Sequence, residues 1–144
     1  MTVHWREQLS LGNEIIDMEH RYLICLVNMV THSLAHPQDS LDDLKYATEQ
    51  LVDYTKKHFE HEERIQLKIQ YAGYADHKAA HQKLMSKIGE LHNEIMAMEE
   101  ASQIEGKGDE IAELLRSWLL DHVIKEDMKL KPLLSGYSKY LMPE

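Results

Sequence analysis

The run "HFEHEE" at residues 58–63 sets two histidines and three glutamates around one phenylalanine. Imidazole and carboxylate are metal ligands, and on a helix two side chains four residues apart share a face. The same run could equally be a solvated helix face. What separates the two readings is which side chains turn inward. With a turn of about 100° per residue, His58 and Glu62 fall within about 20° of the apolar stripe of Leu44, Ala47, Leu51 and Ile65. His61 lies about 80° off, at the rim, and Phe59 is displaced by a similar amount on the other side, while Glu60 and Glu63 point away. His58 and Glu62 are therefore placed to serve one metal centre together.

The same test selects histidines in three further segments. His77 and His81 are again four apart and share the stripe of Leu84, Met85, Ile88 and Ile95. His20 sits within the stripe of Ile16, Leu23, Ile24, Val27 and Leu34, and His122 follows Trp118 by one turn on the stripe of Ile111, Leu115 and Trp118. His92 shares the third stripe but lies about three turns from His81, which makes it a hydrogen-bonded core histidine. His4, His32 and His36 read as surface residues. Cys25 is off its stripe with no partner for nucleophilic chemistry, and Met85, Met96 and Met98 read as packing. Trp118 reads as core that can also wall a metal pocket.

The elements that must position these side chains are helices. Proline (3) and glycine (6) are scarce in the 144 residues, and Leu, Met, Ala, Glu and Lys dominate, a composition that favours helix. Helical periodicity recurs in four blocks. The first follows Gly12-Asn13 and ends at His36-Pro37. The second runs from about Leu41 to about Gln70, with Ser40 as its cap. The third runs from about Asp76 to about Ser102. The fourth opens at Asp109 and stops at Lys131 before Pro132. Four long helices with short connections predict an all-α, up-down-up-down antiparallel four-helix bundle over residues 1–144 as a single domain, with a short C-terminal helix or tail.

In such a bundle His20 lies early in its helix, His58 and Glu62 late, His77 and His81 early, and His122 late, so all gather at one end. The other end is lined by Val27, Leu44, Ile95 and Ile111, an ordinary core. Nitrogen-rich ligands with few carboxylates suit iron or zinc better than magnesium or calcium. Five histidines plus two carboxylates exceed what one tetrahedral zinc needs and fit two metals bridged by carboxylates.

The remaining composition excludes other classes. A formal net charge of −9 argues against nucleic acid or an anionic membrane as partner. One cysteine cannot form an internal disulfide, which suits a reducing, cytoplasmic compartment. No signal-like or membrane-spanning apolar run is visible, so membrane insertion is not expected.

With Trp5, "LSLGNEIIDMEH", "HFEHEE", "HKAAH" and "WLLDHVIKED", the chain resembles the hemerythrin family over nearly its whole length, specifically the stand-alone bacteriohemerythrins. The resemblance implies a binding protein rather than an enzyme, with two iron ions as cofactor and dioxygen as reversible ligand. It implies that His77, His81 and His122 hold one iron and His20 and His58 the other. Glu62 and Asp127 would bridge them, with an oxo or hydroxo bridge completing the pair. Apolar neighbours such as Ile16, Leu23, Ile24 and Trp118 would keep water out. The rival expectations are oxygen or nitric oxide sensing or detoxification at the same site, with a separate protein partner for any output.

Four positions depart from the family pattern. Glu19 stands where Gln commonly precedes the first ligand, Ile65-Gln66 replaces an apolar pair ending in Met, and "YAGYADH" lacks a frequent Pro. The fourth helix holds a conflict: a regular helix carries Glu126 about 40° from His122 and Asp127 about 140°. Spacing nominates Glu126, whereas the resemblance nominates Asp127. Siding with Asp127 requires the helix to widen, as in a π-bulge, or to unwind between His122 and Asp127, with Glu126 turned to solvent.

Overall fold

The computed structural model describes residues 2–39 and 41–144. Among them are four long helices and no strand: α1 (Glu14–Ala35), α2 (Leu41–Lys68), α3 (Tyr74–Met96) and α4 (Gly108–Lys125), followed by a one-turn α5 (Lys131–Leu134). Short 3₁₀ turns at Glu7–Leu9, Ala101–Ile104 and Asp127–Leu130 link them. α1 packs against α2 and α4, and α2 against α3, in the antiparallel bundle expected from the four periodic blocks.

Each helix end has a local cause. Asn13 caps α1 by accepting the Ile16 N–H at 3.0 Å, and Glu14 and Asp17 in the first turn complement the helix dipole. The cap expected at Ser40 lies outside the described residues. α3 opens two residues before the expected start and stops at Met96, six short of the expected end. There Glu100 and Gln103 form a capping box that starts a new 3₁₀ turn instead of continuing the helix. α4 begins at Gly108 with Lys107 at the N-cap position, so Asp109, expected as the cap, lies in the first turn instead; that turn abuts the end of α1, where a Cβ on Gly108 would lie 2.9 Å from the Leu34 carbonyl oxygen. Only a residue without a side chain permits that approach.

The core is two apolar clusters with a polar layer between them. The larger includes Leu23, Val27, Leu44, Leu51, Phe59, Ile88, Ile95 and Leu115. The smaller comprises Leu11, Ile16, Ile65, Ile69, Leu130 and Leu134. In α1 the crossover falls at His20, between Ile16 and Leu23; in α2 at Glu62, between Phe59 and Ile65; after α4 at Asp127, between Val123 and Leu130. The C-terminal segment closes the smaller cluster. Asn13 Nδ2 donates to the Leu141 carbonyl at 3.0 Å, the Glu14 N–H to Lys139 at 2.7 Å, and Lys68 Nζ to Met142 at 2.8 Å. The third and fourth stripes are less buried than expected: Leu84, Met85 and Ile111 are only half-buried, and Met96, read as packing, is 43% exposed. Leu84 and Ile111 line clefts between α3 and α4.

Candidate metal centre

Five histidines and two carboxylates meet in the polar layer, all nearly or fully shielded from solvent: His20, His58, Glu62, His77, His81, His122 and Asp127. They come from all four long helices and from the turn after α4. One end of the bundle collects them because each is on an inward stripe and antiparallel packing brings the matching heights together.

Their contacts sort into two sets. Glu62 Oε1 lies 2.8 Å from His77 Nε2 and 3.3 Å from His81 Nε2. Asp127 Oδ1 lies 3.0 Å from His77 Nε2 and 2.9 Å from His122 Nε2. The second oxygens face the other way. Glu62 Oε2 lies 3.2 Å from His58 Nε2 and 3.5 Å from His20 Nε2, and Asp127 Oδ2 lies 3.1 Å from His20 Nε2. Each carboxylate thus offers one oxygen to a group of three histidines and the other to a group of two. Within each set the candidate ligand atoms lie within 4.8 Å of one another, close enough to share an ion.

The arrangement is that of a metal-binding site and not of a set of ordinary hydrogen bonds. Both nitrogens of His20 and of His77, both oxygens of Asp127 and Oε2 of Glu62 are buried without a hydrogen-bond partner, close though they lie. Buried polar atoms in that number are costly unless something else satisfies them. A metal ion does so, and imidazole with carboxylate suits iron. Without a metal the layer holds together only by protons. Burial opposes a charge on His20, yet Asp127 and Glu62 outweigh it and push its pKa up to about 10. The same pair lifts His77 to about 9. Burial would raise both acids, but the surrounding histidines hold Glu62 and Asp127 well below the usual carboxylate range.

Asp127, not Glu126, lies in the cluster, and the helix unwinds to put it there. No widening occurs. The Glu126 N–H still reaches the His122 carbonyl at 2.8 Å, then Lys129 bonds back to Glu126 at 3.2 Å, an i→i−3 step. The helix breaks at Glu126, whose φ of −106° and ψ of −52° depart from the regular helix, and beyond that break Asp127 faces inward, while Glu126 pairs with Lys129 at 3.0 Å near the surface.

A second ring of residues braces the histidines, and sequence reasoning passed over it. Glu19 is 4% exposed and accepts from His58 Nδ1 at 3.0 Å through one oxygen and from His61 Nδ1 at 2.6 Å through the other. Burial works against its charge, but the two histidines lower its pKa. His61, read as a rim residue, is thus a brace for the brace. Glu63, expected to point away, accepts from His81 Nδ1 at 2.8 Å, because α3 approaches the side of α2 that the stripe test treated as outward. Phe59 stacks on His81 with ring centroids 3.8 Å apart. The available signal was the i−1 position of Glu19 and the i+1 position of Glu63 relative to His20 and Glu62, together with their acidity. Gln66 is fully buried with Nε2 3.5 Å from Glu62 Oε1, and its own Oε1 has no partner.

Apolar walls sit against the cluster. Leu23, Phe59, Leu84 and Trp118 join His20, His58, His122 and Asp127 around a small cavity of about 10 Å³. Ile24 lines a neighbouring cavity of similar size beside His20, while Ile16 packs in the smaller cluster. Trp118 is held in place by donation from Nε1 to the Leu84 carbonyl at 3.3 Å. His92 is not the satisfied core residue expected: its Nε2 is buried without a partner. His4, His32, His36 and Cys25 are exposed, as their positions implied.

A family model described as the hemerythrin HHE cation binding domain matches residues 11–134. A bacteriohemerythrin of Methylococcus capsulatus is 31% identical over 121 residues, which span 83% of this chain and 86% of that one. A bacteriohemerythrin of Stenotrophomonas maltophilia is 28% identical over 123 residues, spanning 85% and 75%. A crystal structure of wild-type hemerythrin matches with a TM-score of 0.80 at 24% identity, covering 94% of this chain and 99% of that one, a likeness of fold.

Proposed function

The chain belongs to the hemerythrin family, and on that basis we propose that it binds dioxygen reversibly at a pair of non-haem irons. The observation that carries the reading is the division of the carboxylate oxygens. Oε1 of Glu62 and Oδ1 of Asp127 face His77, His81 and His122; Oε2 and Oδ2 face His20 and His58. In this reading Glu62 and Asp127 would hold both irons, His77, His81 and His122 one of them, and His20 and His58 the other; the side with fewer histidines would take the small exogenous ligand.

When bound, the iron pair supplies the two electrons that a reversible dioxygen carrier lends its ligand. The chain supplies the setting. Glu19 and Glu63 fix the tautomers of His58 and His81 by accepting their Nδ1 protons, so that Nε2 is free to coordinate. Leu23, Phe59 and Trp118 wall the cavity beside His20, His58 and His122 with apolar surface, which admits dioxygen and excludes water and protons. The polar layer is sealed below by Ile16, Ile65 and Leu130. Among the described residues no helix is long and apolar enough to cross a membrane.

Metal analysis combined with optical spectroscopy tests the reading. Two irons per chain and a visible band that appears under dioxygen and vanishes under vacuum are expected. One zinc and no iron after expression with iron would reject the paired site. Immediate irreversible bleaching under dioxygen, with a stable adduct under nitric oxide, would reject reversible carriage in favour of sensing or detoxification.

A further inference from the structure

Helix α1 is apolar on two opposite faces. Its inner face carries Leu23, Val27 and His20. Turned roughly 180° away, Met18, Tyr22, Cys25 and Met29 form a second stripe within about 60° of arc. Met18 is 57% exposed, Tyr22 52% and Met29 50%, and Cys25 is exposed. Tyr22 leans on Tyr54 of α2, ring centroids 4.6 Å apart. That contact sets the antiparallel register of the two helices and brings Tyr46, 62% exposed, level with Met29. Apart from the Tyr22–Tyr54 contact, Met18, Tyr22 and Met29 remain half or more exposed, and a solvated helix face is normally polar.

We propose that this face is the contact surface of a two-fold symmetric dimer, in which α1 packs antiparallel against α1 of a second copy of the chain. The inference does not depend on the function proposed above. Its first ground is spacing. The steps from Met18 to Tyr22 to Cys25 to Met29 are four, three and four residues, the rhythm of a heptad seam. That rhythm reads the same in both directions, so a two-fold axis between Tyr22 and Cys25 matches the stripe with itself. Met18 then faces Met29 of the second copy, and Tyr22 faces Cys25.

The second ground is area. Met18, Tyr22, Met29 and Tyr46, each about half exposed, offer roughly 100 Å² apiece, about 400 Å² of apolar surface per copy. A standard interface buries about 800 Å² per partner, slightly more than half of it apolar. The third ground is charge at the seam edge. Arg21 comes level with the uncharged Leu26 of the second copy, so no like charges oppose each other there. The net charge of −9 per chain still repels at long range, so salt should strengthen the dimer by screening.

Sedimentation velocity on the metal-loaded full chain, from low micromolar to several hundred micromolar, should show a monomer–dimer equilibrium that shifts toward dimer with salt. Tyr22→Glu and Met29→Glu should each weaken the dimer at least tenfold. Ile124→Glu and Leu133→Glu, at exposed apolar positions elsewhere, should leave it unchanged. Circular dichroism and iron content, unaltered because the stripe faces away from His20, verify that each variant folds. The register has its own readout. Under mild oxidation Y22C should give a disulfide-linked dimer through Cys25 of the second copy. The native protein should cross-link more slowly than Y22C, because its two Cys25 residues are offset along the helices by about 4.5 Å, whereas Y22C comes level with Cys25 of the second copy. A monomer at every concentration, a dimer indifferent to Tyr22→Glu, or cross-linking of the native protein in place of Y22C would overturn the proposal.

Discussion

Glu19 precedes His20 in the chain but serves a different histidine: its carboxylate accepts the Nδ1 proton of His58 at 3.0 Å, across the α1–α2 contact. Its other oxygen is taken by His61 at 2.6 Å. A glutamine there could accept from only one of the two and would turn its amide N–H₂ toward the other. Glu19→Gln should therefore loosen the metal on the His20–His58 side, with a roughly tenfold loss of affinity, and Glu19→Ala should lose more. Competition with a chelator, read by metal content, measures it. Retention of both metals at native affinity in Glu19→Ala would show that the brace is idle.

Asp127 and Glu126 give a second contrast. Asp127→Asn keeps the shape but halves the bridging capacity of the layer, so one metal or both should be lost and any dioxygen-dependent band with them. Glu126→Gln removes only a surface pair with Lys129, which is worth less than about 1 kcal/mol, and should leave metal content and thermal midpoint near native. The reverse ranking, measured by metal analysis, would return the ligand role to Glu126.

The pH dependence of the metal-free protein follows from the protons that hold the layer together. His20 and His77 are raised to about 10 and about 9, so the stability they contribute is fully present below their ordinary value of 6.5 and is lost as pH rises through 9 and 10. Glu62 and Asp127 are lowered from 4.5 and 3.8, so their contribution is present above those values and is lost only in stronger acid. The thermal midpoint of the metal-free protein should hold from about pH 5 to 6.5 and fall steadily toward pH 10. Bound metal replaces the protons and should flatten the alkaline fall. A metal-free midpoint that rises between pH 7 and 10 contradicts this account.

Gln66 is a cost the fold carries beside Glu62. Its Oε1 is fully buried with no partner, which is worth about 1–3 kcal/mol of lost stability. Gln66→Met fills a similar volume without the stranded oxygen and should raise the thermal midpoint of the metal-free protein. A fall would mean that the weak contact from Nε2 to Glu62, at 3.5 Å, matters more than the stranded oxygen.

The bundle and the gathering of six of the seven cluster residues were legible in the sequence for one reason. An apolar stripe with a period near 3.6 orients every residue on its helix, so His20, His58, Glu62, His77, His81 and His122 could be placed inward one helix at a time. Short connections then forced antiparallel neighbours and hence a common end. Asp127 marks where that reasoning fails, because a stripe test assumes a regular helix. The resemblance nominated it, and the fold reaches it by ending α4 at Lys125 and breaking the helix at Glu126.

What the sequence by itself determined is what depends on local periodicity: four helices, their inward faces and the shared height of the histidines. What only the tertiary structure decided depends on distances between helices. Glu19, His61 and Glu63 lie off the stripes, yet they meet His58 and His81 because neighbouring helices approach on their flanks, a geometry that no single helix encodes. The early end of α3, the half-buried Ile111 and Leu84 beside the α3–α4 cleft, and the inward swing of Asp127 are of the same kind. Each is settled by how closely two surfaces approach, and that distance is set by packing over the whole bundle.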